Sequence, residues 1–186
     1  MATSSSSTQA SFKTISTLDS DAVYLALHYR ERRDDNEPYH WAFVQFADSG
    51  CTETVYMNAE NADLRLDTDN WAYIERYEWK PADSKSLVVM YELQIPDGVS
   101  SEDVYGMIRS KGREVVREKS TYRRFYGSFN CRVWLFEVLD VLYKNGYITA
   151  PVSARDIMSS AQEAAQVCHS NFGRKQCYSV TTHILV

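Results

Sequence analysis

The chain has 186 residues, twenty Lys and Arg against twenty-five Asp and Glu, and a net charge of −5 at neutral pH. A domain of this length buries about 70% of the surface its unfolded chain exposes, so it needs neither disulfides nor a structural metal to fold. The acidic balance leaves no global field that would draw it to nucleic acid or to an anionic membrane.

Thirteen Tyr, seven Phe and four Trp suit either a packed core or an aromatic-walled pocket. The cysteines, Cys51, Cys131, Cys168 and Cys177, include no CxxC pair. Residues 1–10 are Ser/Thr-rich without an apolar signal region, and no run of ~18 apolar residues occurs. The expectation is a cytoplasmic protein with free thiols, no membrane partner and no nucleic-acid partner.

Residues 1–18 lack periodicity and are expected to be a flexible lead-in to a single domain over 19–186. Residues 22–29 read as a strand, 30–38 as a charged hairpin loop and 40–46 as a second strand. Asp48-Ser49-Gly50 turns the chain into a third strand at 52–58. After a polar segment at 59–70, the run 71–79 alternates in a way that puts Trp71, Tyr73, Tyr77 and Trp79 on one strand face. Residues 87–93 form the next strand, which Pro96-Asp97-Gly98 ends.

Ser100 or Ser101, followed by Glu102 and Asp103, starts a helix to about 119. Residues 120–129 read as a loop carrying Arg123, Arg124 and Gly127. A second helix opens at Cys131 and stops at Asn145-Gly146. A third spans 153–170, and 177–186 is a possible last strand. The fold class expected is α+β, a mainly antiparallel sheet of five or six strands packed on about three helices.

Chemistry is most concentrated at Asn130-Cys131-Arg132-Val133-Trp134. A helix N-terminus carries roughly half a positive charge and favours a thiolate, the reactive form of cysteine. Positions 131, 134, 135, 138, 139 and 142 fall on one helical stripe, so Cys131 faces the sheet. A plain core cysteine occupies the same kind of position. The base available to such a thiol is His40, which shares its strand face with Ala42, Val44 and Phe46, and a satisfied core histidine is the alternative there.

Other clusters carry less. Cys168, His169, Cys177 and His183 lack the close ligand pairs of a zinc site, so no metal and no cofactor are expected. Lys111, Arg113, Arg117 and Lys119 interleave with Glu114 and Glu118 as a solvated helix face does.

His40-Trp41-Ala42 on a strand, a turn with Asp and Gly, and Asn130-Cys131 opening an apolar helix resemble the permuted branch of the papain-like superfamily, which includes lecithin:retinol acyltransferase. In that branch the histidine precedes the cysteine in the chain. Cys131-Arg132-Val133-Trp134, with His40-Trp41 and Gly146-Tyr147-Ile148, also resembles a group of small uncharacterised fungal proteins. The superfamily resemblance implies a permuted papain-like fold, Cys131 as nucleophile and His40 as its base. A third residue then orients the imidazole. The family usually places a histidine or polar residue on the following strand, and this chain departs from it by offering Thr52, Thr54, Tyr56 and Asn58. Asn58 through its amide or Tyr56 through its hydroxyl fills that role.

Substrate contacts are expected from Trp41, Thr54, Arg123, Arg124, Asn130 and Trp134. The function expected is a cysteine-dependent hydrolase or acyl/amide transferase acting on a soluble small molecule or peptide-like substrate. Two alternatives stay open: a cyclase or other specialised-metabolism enzyme using the pocket without covalent cysteine catalysis, and a non-catalytic interaction module.

Overall fold

The residues described in the computed structural model are 11–14, 22–30, 38–46, 54–61, 70–149, 153–172 and 178–181. Within them, runs rich in β-branched and aromatic residues fold as strands. These are β1 (Ser11–Thr14), β2 (Val23–Tyr29), β3 (Tyr39–Phe46), β4 (Thr54–Asn61), β5 (Trp71–Tyr77), β6 (Leu87–Leu93) and β7 (Tyr178–Thr181). They make one sheet in the order β1-β7-β6-β2-β3-β4-β5, antiparallel except where β6 lies beside β7. The helices are α1 (Ser101–Arg117), α2 (Lys119–Tyr126), α3 (Cys131–Lys144) and α4 (Ala154–Phe172). The fold is therefore α+β, as the sequence predicts. No helix among the described residues is long and apolar enough to cross a membrane.

Strand alternation divides the buried residues into two clusters. Leu25, Trp41, Phe43, Met57 and Val89 pack with Ile108, Trp134, Leu135, Val138 and Ala161 from the helices. The opposite face carries Tyr24, Ala26, Ala42, Val44, Phe46 and Tyr56, with Trp79 packed against them. The stripe expected on α3 is the buried one: Cys131, Trp134, Leu135, Val138, Leu139 and Leu142 all point inward. Trp134 anchors it. Its ring meets Phe43 edge-on at 5.8 Å, and its Nε1 donates to Gly112 O at 3.0 Å, so the polar end of this large side chain is satisfied inside the core.

Several expectations change. Residues 120–129 are not a loop, because Lys119–Tyr126 is α2, terminated by Gly127 at φ 77. This helix buries no residue, so it has no apolar stripe to read. Tyr126 fastens it to α3 by donating to Glu137 Oε1 at 2.6 Å.

Trp79 leaves the face of Trp71 and Tyr73. Glu78 sits at φ 56, which breaks the alternation and turns Trp79 to the opposite side, onto Tyr56 and His28. The lead-in contributes β1, paired with β7, which brings the strands to seven. The 31–37 loop and the Asp48-Ser49-Gly50 turn lie outside the described residues, as do Cys51 and Cys177.

Candidate active site

The hairpin register sets Tyr29 opposite Tyr39 and His28 opposite His40. Arg30 follows directly, its backbone N–H donating to Pro38 O at 3.0 Å. Between β3 and β4 the paired residues stop at Phe43 and Met57, although β3 runs back to Tyr39 and β4 on to Asn61. The strands part there, with His40 and Asn58 on either side of the opening. Period-two alternation puts His28, His40, Asn58, Tyr56 and Glu60 on the face away from the helices. Cys131 approaches from the helix side as the first residue of α3. Its position is set by Asn130, whose Oδ1 accepts from Val133 N at 3.0 Å.

Arg30 joins the two layers. Its Nη2 donates to Nδ1 of His40 in a short contact and to Sγ of Cys131 at 3.5 Å. One nitrogen bonded to both puts thiol and imidazole within roughly 6 Å, two hydrogen-bond lengths. A guanidinium beside sulfur favours the thiolate form.

On the far side of the ring, the Asn58 amide nitrogen stands 2.5 Å from Nε2 and donates to Glu60 Oε1 at 2.9 Å. A neutral imidazole has one acceptor and one N–H, so it cannot accept from both Arg30 and Asn58. The conflict is relieved when Arg30 leaves Nδ1, or when the amide turns its unpartnered Oδ1 toward an Nε2–H.

A cavity of about 540 Å³ opens beside this group, with Arg30, His40, Tyr56, Trp71 and Trp79 in its walls. His28 lines it too, and was not singled out from the sequence. Its Nδ1 lies 3.1 Å from Ser86 Oγ and 3.4 Å from Ser84 Oγ. Burial, with the positive charges of Arg30 and Arg76 adding to it, lowers its pKa to about 4, so the ring is neutral at pH 7. A register shift between Leu27 and His28 in the β2–β6 pairing gives His28 its local setting. The Tyr56 phenol is held protonated above its ordinary range, first by burial and then by the nearby Cys131 and Glu60 charges. Glu60 takes a two-pronged ion pair from Arg76 Nη2, at 2.7 and 2.8 Å.

Of the residues expected to form the site, Cys131, His40 and Asn58 come together, and Tyr56 lines the adjoining cavity. Asn130 acts as the helix cap. Trp41 and Trp134 are core residues, both fully buried in the helix-side cluster. Thr54 lies at the other end of β4, opposite Phe46. Arg123 and Arg124 are exposed on α2 and are not among the residues lining the cavity. Arg30, which the sequence places at the start of a charged loop, is instead part of the site. The Cys168 thiol is buried in the core and His169 packs edge-on to Tyr29 at 4.4 Å. No group of three or more His, Cys, Asp and Glu among the described residues has the arrangement to hold a metal ion.

No curated protein and no solved structure matches the chain. One family profile does, over residues 23–177, a span that includes every residue of the Arg30, His40, Asn58 and Cys131 group. The chain therefore belongs to the family described as a domain of unknown function, DUF7770.

Proposed function

We propose that the protein is a cysteine-dependent acyl-transfer enzyme, a hydrolase or acyl/amide transferase acting on a small molecule, in keeping with the resemblance to the permuted papain-like branch. Cys131 is the nucleophile, His40 the base and Asn58 the residue that orients the ring. The observation that carries the reading is the division of the imidazole's two nitrogens. Nδ1 lies on the thiol's side through Arg30, and Nε2 faces the Asn58 amide.

When a carbonyl compound enters, Arg30 leaves Nδ1 and the amide presents Oδ1 to Nε2–H. Nδ1 takes the thiol proton as sulfur bonds to the carbonyl carbon, and hands it to the departing amine or alkoxide as that bond breaks. Water, or an acceptor amine or alcohol, then attacks the thioester and gives its proton to Nδ1. The acid or new acyl product leaves and the proton returns to sulfur. Arg30, freed from the ring, is the nearest cation to the developing oxyanion.

The test is acyl-enzyme trapping with p-nitrophenyl acetate. A burst of one p-nitrophenolate per chain, with acetyl on the Cys131 peptide and neither in Cys131→Ala, is the expected result. Acetyl spread evenly over the thiols overturns it.

A second reading is favoured by the enclosure of the thiol. Cys131 is only 1% exposed and is not among the cavity-lining residues, whereas His40 is. In this reading the cavity performs proton-transfer chemistry, such as a cyclisation, with His40 as base and Cys131 as part of its support. Cys131→Ala then retains turnover, while His40→Gln loses it.

A further inference from the structure

Among the described residues, two buried side-chain nitrogens belonging to cavity-lining residues lack a partner: Arg30 Nη1 and His28 Nε2. Buried polar groups in folded proteins are almost always paired, so two orphans in one cavity call for an explanation. Both are donors. Arg30 has no acceptor atom. Ser84 Oγ accepts from Leu87 N at 3.2 Å and has its hydroxyl hydrogen free to turn to His28 Nδ1 at 3.4 Å. Ser86 Oγ stands at 3.1 Å from the same nitrogen. A ring that accepts at Nδ1 carries its hydrogen on Nε2, the atom without a partner.

Charge points the same way. The other arginine of the cavity, Arg76, is paired with the Glu60 carboxylate. Among the described residues, the side-chain partners of Arg30 are a thiol and an imidazole, and neither is a carboxylate. Tyr56 and Trp79 stand 5.0 Å apart in a tilted pair, and Trp71 also lines the cavity, a wall suited to a flat, unsaturated body.

We propose that the cavity takes a small carboxylate with a flat, unsaturated body, its carboxylate oxygens accepting from Arg30 Nη1 and His28 Nε2–H and its body lying against Trp79 and Tyr56. The proposal gives the acyl-transfer reading its recognition group, the carbonyl that sulfur attacks being a separate ester or amide of the same molecule, and rests on that reading in sharing its cavity, but its test does not depend on the thiol. Arg30 then has two tasks, with Nη2 on the thiol's side, where it leaves Nδ1 once substrate enters, and Nη1 on the ligand's carboxylate.

The experiment is tryptophan-fluorescence titration of the full chain, wild type and Cys131→Ala, with trans-cinnamate and with cinnamamide, its neutral isostere. The acid is expected to bind about tenfold or more tighter than the amide in both proteins, the difference a charge-assisted contact makes. Arg30→Gln is expected to erase the preference and Trp79→Leu to weaken both probes alike. Equal affinity for acid and amide in wild type, or saturable binding of neither, overturns the proposal without any variant. Failure to trap an acyl-enzyme while the acid preference persists removes the thiol reading and leaves the carboxylate site standing.

Discussion

His28 and His40 are cross-strand partners, their ring centroids 6.4 Å apart at an interplanar angle of 55°, yet their neighbours differ. His28 is held among Tyr56, Trp79 and two serine hydroxyls. His40 stands between Arg30 and Asn58 at the gap in the sheet. One strand pair thus supplies an enclosed, uncharged ring and a ring in contact with the thiol's own partner.

The enclosed ring makes stability depend on pH. Its folded-state pKa of about 4 lies below the ordinary histidine value of 6.5, so the unfolded chain binds a proton that the folded chain refuses. The stability associated with neutral His28 is complete above pH 6.5 and is lost as pH falls toward 4, in total on the order of 3 kcal/mol. Urea unfolding at pH 7 and pH 4.5 should show a larger loss in wild type than in His28→Asn. Equal losses would remove His28 as the cause.

The thiols differ in setting although both are buried. Cys131 opens a helix and touches Arg30, whereas Cys168 lies in the last turns of α4 within the core. Peptide mapping after iodoacetamide treatment near pH 6 should find Cys131 alkylated at least several-fold faster than Cys168, with Arg30→Met slowing it. Matching rates for the two would mark Cys131 as an ordinary core thiol.

Asn130 sets where α3 begins. Asn130→Ala removes the acceptor for Val133 N and should cost about 1 kcal/mol, while Asn130→Ser or Asn130→Asp keeps most of it. Because Cys131 follows directly, the alanine variant should also lose Cys131 alkylation selectivity. Thermal melts and the labelling assay together check both halves; an unchanged melting temperature would show the cap to be dispensable.

Gly112 tests how tightly α1 meets the core. Replacement of glycine by alanine inside a helix gains about 1 kcal/mol on propensity alone. Here the added Cβ would lie 2.9 Å from Trp134 Cζ2 and 3.0 Å from Tyr73 Cε2, both on large rings with little room to shift. Overpacking typically costs 1–3 kcal/mol, so Gly112→Ala should be net destabilising by roughly 1 kcal/mol and lower the melting temperature by several degrees. A rise in melting temperature would show that the rings yield.

Periodicity made much of this legible. The α3 stripe, the side of β3 that carries His40 and the placement of Asn58 on the same side all follow from spacings of 3.6 and 2. The pairing of Cys131 with His40 comes instead from the family resemblance, since alternation places His40 and Asn58 on the face away from the helices. The position of His28 opposite His40 was implicit in the expected hairpin, since the two are matched about its loop.

Arg30 was harder. A charged residue at a strand end reads as solvated, and only the parting of β3 from β4 lets it reach both layers. The α2 helix escaped notice because nothing in it is buried, and helical propensity without an apolar stripe resembles a polar loop. The Trp79 reversal depends on a left-handed glutamate, for which its residue type offers no cue.

That glutamate has a mechanical consequence. At φ 56, Glu78 occupies a backbone state that costs a non-glycine residue about 1 kcal/mol, and it acts as a phase slip in a repeating pattern. Upstream of it, Tyr73 packs on Trp134 of the helix side; immediately downstream, Trp79 belongs to the cavity. A single backbone torsion is therefore the switch between a ring spent on the core and a ring available to a ligand. Deleting Glu78 would re-phase the wall without touching a single atom of the thiol, the imidazole or the guanidinium.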